Sequence, residues 1–228
     1  MQNKIGFSSE TYHIHIDDLV RLPMNTDYQI HEFSNEVLLM IGDKKNNIPD
    51  QIIRGNDLLE FAKNSGQQFV PVRVILNNEY NFFFNLLGAF SKPIRTKIEK
   101  YSQFHYRILL TDISENQLER NIKTEESAYN FTKKKWRLND AQRDERLTKL
   151  KHSFIENGYD YNFPMQIMLC RSFGVKDQLQ QGHHRMMLCK QHNIKVVSTL
   201  FMHSTFLPLA ARGSLVHLMK LLRYKQMK

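Results

Sequence analysis

Gln181-Gly182-His183-His184-Arg185 is the stretch of this chain best equipped for chemistry, and Met186-Met187-Leu188-Cys189-Lys190 continues it as a short helix opening at His183. The first backbone N–H groups of a helix have no partner inside it, and the helix dipole is positive at that end. Two imidazoles and a guanidinium added there make an anion site suited to the phosphates of a nucleotide or nucleic acid. Gly182 lets the backbone approach the anion with no Cβ in the way. His183, His184 and Arg185 are therefore the candidate catalytic groups, and Gln181 and Gly182 join them as candidate nucleotide contacts. Arg185 would clamp negative charge, and one histidine could shuttle a proton near neutral pH. Phosphoryl transfer also needs a base. Asp17, Asp18, Glu145 and Asp177 are the carboxylates considered for it, and spacing singles out none of them.

The elements that must hold this corner can be read backwards from it. Leu147, Leu150 and Phe154 recur at helical spacing after Asn139 or Asp140 as N-caps, and Gly158 suits the helix end. Phe163 to Leu169 reads as a mostly buried strand, Arg171 to Lys176 as a turn, and Asp177 to Gln181 as a shorter strand. The helix from His183 is expected to end near Asn193, before an apolar strand from Lys195 to Phe201.

In this order the pieces resemble the ParB/sulfiredoxin superfamily (the ParB-like nuclease domain). Its pattern is a helix ending Leu-x-x-Ser-Ile-x-x-x-Gly, a Pro-Ile-x-Val-like strand, Asp-Gly-x-x-Arg opening a helix, and a strand. Here these stand as Leu150, Ser153-Phe154, Gly158, Pro164-Met165-Gln166-Ile167, Gly182-His183-His184-Arg185 and Ile194 to Leu200, over about residues 138–202. The resemblance implies a mixed α/β (α+β) domain whose Gly-x-x-Arg turn holds the phosphates of ATP or CTP, with Mg²⁺ as a companion ion. Partition proteins of the superfamily bind and hydrolyse CTP on DNA, sulfiredoxins use ATP to repair an oxidised cysteine, some relatives phosphorylate a free amino acid, and others are nucleases. Fold does not choose among them.

Three departures narrow the choice. Sulfiredoxins carry cysteine directly after the glycine, where this chain has His183, and Cys170 and Cys189 lie elsewhere. Partition proteins continue into further domains, and a full partition protein is not expected from the short stretch that follows the last strand here. The acidic residue that usually precedes the glycine is Gln181 here, which bears on catalysis more than on binding.

With 228 residues, 41% of them hydrophobic, and only 9 Gly and 6 Pro, the chain is expected to fold. Two cysteines suit a reducing compartment, the N-terminus lacks the apolar core of a signal peptide, and Phe82 to Phe90 is too short to span a bilayer. A cytoplasmic protein is the expectation. Residues 1–114 carry 12 Lys/Arg against 13 Asp/Glu, whereas residues 115–228 carry 20 against 10. The excess positive charge shares its half with the anion corner and favours a polyanionic partner; a soluble basic surface is the plainer alternative.

The expected organisation is an N-terminal region over 1–130, the nucleotide-binding domain over 131–206 and a C-terminal amphipathic helix over 207–228. The N-terminal region is either an extension or a first strand, near residues 11–20, followed by an insertion. No internal repeat is visible. His13 and His15 alternate with Ile14 and Ile16 and could ligate a metal with Asp17, although a solvent-facing strand explains them as well. Phe69 to Leu76 and Tyr80 to Leu87 suggest a hairpin through Asn77-Asn78-Glu79, with Phe82-Phe83-Phe84 as core or as a base-stacking platform. Lys133-Lys134-Lys135-Trp136-Arg137 could grip nucleic acid or be a solvated run anchored by Trp136. Leu215, Leu218, Met219 and Leu222 share one helical face, able to dock on the domain, a partner or a membrane.

Three functions fit these residues. A nucleotide-dependent phosphotransferase acting on a small molecule comes first. A ParB-like DNA-binding protein or nuclease is the alternative, and a nucleotide-sensing module without catalysis is the third.

Overall fold

The computed structural model describes residues 6–25, 35–76, 99–114, 139–169 and 177–204. Its strands are β1 (Gly6–His15), β2 (Val37–Ile41), β3 (Gln51–Arg54), β4 (Phe69–Leu76), β5 (Glu99–Tyr101), β6 (Tyr106–Leu109), β7 (Met165–Leu169), β8 (Gln178–Gln181) and β9 (Val196–Ser204). Its helices are α1 (Ile16–Leu19), α2 (Asn56–Asn64), α3 (Leu110–Ser114), α4 (Asp140–Asn157) and α5 (His183–Gln191). The fold is mixed α/β. All nine strands join one sheet in the order β3-β2-β4-β1-β6-β9-β7-β8, with β5 also pairing β9.

The sheet is built twice from one plan. In the first half, β2 and β3 form an antiparallel pair, Gly55 turns the chain into α2, and β4 returns parallel to β2. In the second, β7 and β8 pair antiparallel, Gly182 turns the chain into α5, and β9 returns parallel to β7. The match extends to single residues. Val37 pairs with Val72 and Met165 with Thr199, in each case the first residue of one strand against the fourth of the other. The antiparallel register slips between Leu38 and Leu39, and between Gln166 and Ile167. Residues 50–76 and 177–203 correspond without a gap, sharing Asp50/Asp177, Gln51/Gln178, Gly55/Gly182, Lys63/Lys190 and Val70/Val197.

The strand that opens each half repeats too. Ser8 Oγ accepts from Val74 N and donates to Glu10 O, while Ser102 Oγ accepts from Phe201 N and donates to Phe104 O. The strand then enters a short helix at Ile16 or Leu110, whose N–H groups donate to Gln68 O and Lys195 O. The two opening strands meet antiparallel at Ile14 and Ile108, which puts an approximate twofold axis at the centre of the sheet. The sequence reading of no internal repeat is thus corrected: the repeat lies in topology and register, and few side chains preserve it.

The halves are locked by reciprocal bonds. Asp18 accepts from Arg107 N at 2.7 Å and from its guanidinium, and Asp112 accepts from His13 N at 2.6 Å and faces His13 Nδ1 at 3.0 Å. Tyr12 donates to Asp177 and Tyr106 to Asp50, both at 2.6 Å. Asp50 also accepts from the N–H groups of Gly42, Gln103 and Phe104. Asp18, Asp50, Asp112 and Asp177 are all buried, and buried carboxylates persist only when their oxygens are satisfied. One apolar cluster runs through both halves, with the Tyr12 and Tyr106 rings 5.0 and 5.8 Å from that of Phe201.

The strand expected near residues 11–20 splits: it ends at His15, whose side chain caps α1 by accepting from Asp17 N. Residues 115–138, holding the Lys133–Arg137 run, lie outside the described residues. So do Cys170 to Lys176, the segment of the expected hairpin with Phe82–Phe84, and the C-terminal segment with Leu215 to Leu222.

Candidate functional site

The Gly182 corner is held from both sides. Before it, β8 hangs from Asp177, which the Tyr12 hydroxyl fixes. Beneath it, β7 starts at Met165, preceded by the loop that follows α4. The helix α4 begins with a capping box in which the Asn139 and Gln142 side chains each accept from the other's backbone, and it ends at Gly158. Leu150 and Phe154 on α4 pack on the core shared with Leu188 and Cys189 of α5.

Gly182 adopts φ +109, and a Cβ there would lie 2.8 Å from Met165 Cγ. Gly55, with φ +103, would put its Cβ 2.8 Å from Val37 Cα. Both glycines are required by a helix start pressed onto the first residue of a neighbouring strand, in a conformation other residues rarely adopt. Approach to an anion, the reason given from sequence, is not what fixes Gly182: the same glycine stands where Asn56-Asp57-Leu58 follow it.

His183, His184 and Arg185 do not converge. Consecutive helical residues point about 100° apart. His183 turns inward and is buried, at 6% exposure. His184 is half-buried and lines a small groove between α4 and α5 with Leu147, Lys151, Met187, Leu188 and Gln191. Arg185 reaches back to donate from Nη1 to the carbonyl oxygen of Phe163. Burial holds its pKa below the usual guanidinium value, with the Tyr159, Cys189 and Asp160 side chains opposing that shift; it remains a cation at neutral pH. Gln181 is exposed at the end of β8. An anion at this corner would thus meet the first-turn amides of α5 and whichever guanidinium N–H groups face it, with Gln181 beside them.

The candidate bases are placed elsewhere or already engaged. Asp18 is held by Arg107, and Asp177 by Tyr12. Asp17 lies on α1 beside Arg107, and Glu145 pairs with Lys149 one turn along α4. Nor do the two histidines of β1 converge on a metal with Asp17: His13 turns to Asp112, and His15 caps α1 with its ring edge-on to Phe69. Among the described residues no group of three His, Cys, Asp or Glu side chains is arranged to hold a metal ion. Cys189 is buried, and burial pushes its thiol up to about 12, so it is protonated at neutral pH and a poor nucleophile. No described helix is long and apolar enough to cross a membrane.

Sequence reasoning missed the clamps because their partners are far apart in the chain: Tyr12 and Asp177, Asp18 and Arg107, His13 and Asp112. The available signal was the pair of Tyr-x-x-x-x-x-Asp strings, Tyr12 to Asp18 and Tyr106 to Asp112, which head the two copies. No protein-family model matches the chain, and neither a curated protein nor a solved structure was found with significant similarity to it.

Proposed function

We propose that the second copy is a phosphate-binding module of the ParB/sulfiredoxin kind, taking the triphosphate of ATP or CTP, with Mg²⁺, at the start of α5, and that the first copy is its non-binding twin. One observation carries this reading. The corner is built twice on the same geometry, and the first copy shows what the turn itself requires: a glycine, then residues of no particular charge. There Asn56-Asp57-Leu58 places an acid in the first turn, which repels an anion, whereas the second copy places two histidines and an arginine. An anionic ligand at the first-turn amides of α5 would favour that exchange of an acid for cationic groups, with Arg185 anchored on the Phe163 carbonyl.

The binding step is better supported than phosphoryl transfer to a small-molecule acceptor, because Asp18 and Asp177 already serve the architecture. A nucleic acid is the second reading, favoured by the 20 Lys/Arg against 10 Asp/Glu of residues 115–228. Thermal shift with magnesium and ATP or CTP tests the first: the wild type gains stability with nucleotide, and Arg185→Ala keeps its circular dichroism but loses most of that gain. An unchanged gain in the variant removes Arg185 and the corner from the account. DNA affinity that falls steeply with salt, without a nucleotide response, moves the account to the second reading.

A further inference from the structure

Each copy's hairpin is pinned by the other copy. Asp177 immediately precedes β8, the four-residue strand that leads to Gly182, and its carboxylate takes the hydroxyl of Tyr12, 165 residues earlier in the chain, at 2.6 Å. Asp50 immediately precedes β3, the strand that leads to Gly55, and takes the hydroxyl of Tyr106 at the same distance. Tyr12 and Tyr106 are both fully buried, and both rings lie against Phe201. Both bonds join a buried tyrosine hydroxyl to a buried carboxylate, with Asp50 also accepting from Gly42, Gln103 and Phe104, and the strands they anchor lead to different corners: one with His183, His184 and Arg185, the other with Asn56, Asp57 and Leu58.

We propose that Tyr12 is a positioning residue for the anion corner of the second copy, so that the first copy holds its partner's site in place. This rests on the phosphate-binding reading above. A phosphate held by backbone amides depends on their direction, and small displacements of a preorganised site cost affinity. The strand from Asp177 to Gly182 is short and its hydrogen-bonded partner, β7, pairs with it through a register slip. Its start is fixed by the Tyr12 bond, which ties it to the centre of the sheet. The geometry makes the first copy a brace, which is a role its own corner residues do not suggest.

The twin bonds supply the control. Tyr12→Phe and Tyr106→Phe are made separately in the full chain, and three quantities are measured: urea stability, nucleotide affinity, and amide hydrogen exchange over 178–186 and 51–59. Both variants are expected to lose similar stability. Tyr12→Phe alone weakens magnesium-nucleotide binding by about three- to tenfold and speeds exchange over 178–186. Tyr106→Phe speeds exchange over 51–59 and leaves affinity unchanged. Equal effects of the two variants on affinity, or unaltered exchange over 178–186 in Tyr12→Phe, overturn the proposal. Wild-type protein that binds neither nucleotide overturns the phosphate reading instead, and the exchange data then still decide whether Tyr12 positions the corner. If Tyr12→Phe does not fold, Asp177→Asn against Asp50→Asn carries the same comparison.

Discussion

Thr199 shows what comparing the two copies reveals about one side chain. It is fully buried on β9, its hydroxyl has no hydrogen-bond partner among the described residues, and its counterpart on β4 is the isosteric Val72, also fully buried. An unsatisfied buried hydroxyl costs about 1–3 kcal/mol. Thr199→Val should therefore raise stability by about 1 kcal/mol in urea titration; a loss of stability would show that the hydroxyl is satisfied in solution. Cys189 gives a second prediction. Burial carries its thiol from 9.0 to about 12, so the folded chain keeps a proton that the unfolded chain releases. Stability from this group is complete below pH 9 and declines between 9 and about 12. Peptide mapping after alkylation at pH 8 should find Cys189 protected in the native protein and modified in urea.

At the scale of elements, the Gly182 turn can be ranked against glycines of similar dihedral. Gly66 and Gly158 also have positive φ, but a Cβ at either would meet nothing within 4 Å. Gly66→Ala should cost about 1 kcal/mol, the usual penalty of the left-handed region. Gly182→Ala adds the clash with Met165 and should cost at least about 2 kcal/mol, part of it recovered by Met165→Ala; equal costs at the two glycines would contradict the packing argument. The second copy was largely legible in sequence, because β7 and β9 carry apolar runs and Gly158 and Gly182 mark the turns around them. The expected strand from Phe163 begins at Met165, two residues late, after Pro164. The first copy was legible only in part: the strand read over Phe69 to Leu76 is β4, and the one read near residues 11–20 overlaps the end of β1, but β2, β3 and α2 were not read. β2 is the unbroken run Val37-Leu38-Leu39-Met40-Ile41, whose period distinguishes neither helix nor strand. α2 follows Gly55 with none of the histidine and arginine residues that open α5. The spacing between the opening strand and the hairpin also differs in the two copies, since α4 stands between α3 and β7, so a search at one fixed period loses the register.

At the scale of the molecule, the continuous sheet, the core running through both copies and the reciprocal clamps leave, among the described residues, no plane along which one half could unfold alone. Calorimetry should show one transition, with calorimetric and van't Hoff enthalpies in agreement. Two resolved transitions would mean that the clamps contribute little. The excess of positive charge in residues 115–228 would speed encounter with an anionic partner before any specific contact forms.

The most direct measurement is the stoichiometry of nucleotide binding by isothermal titration with magnesium present. The fold offers two glycine corners of the same shape, and the account assigns the ligand to one of them, so it predicts one site per chain, lost in Arg185→Ala and retained in Leu58→Ala. Two sites, or one that survives Arg185→Ala and disappears in Leu58→Ala, would contradict it.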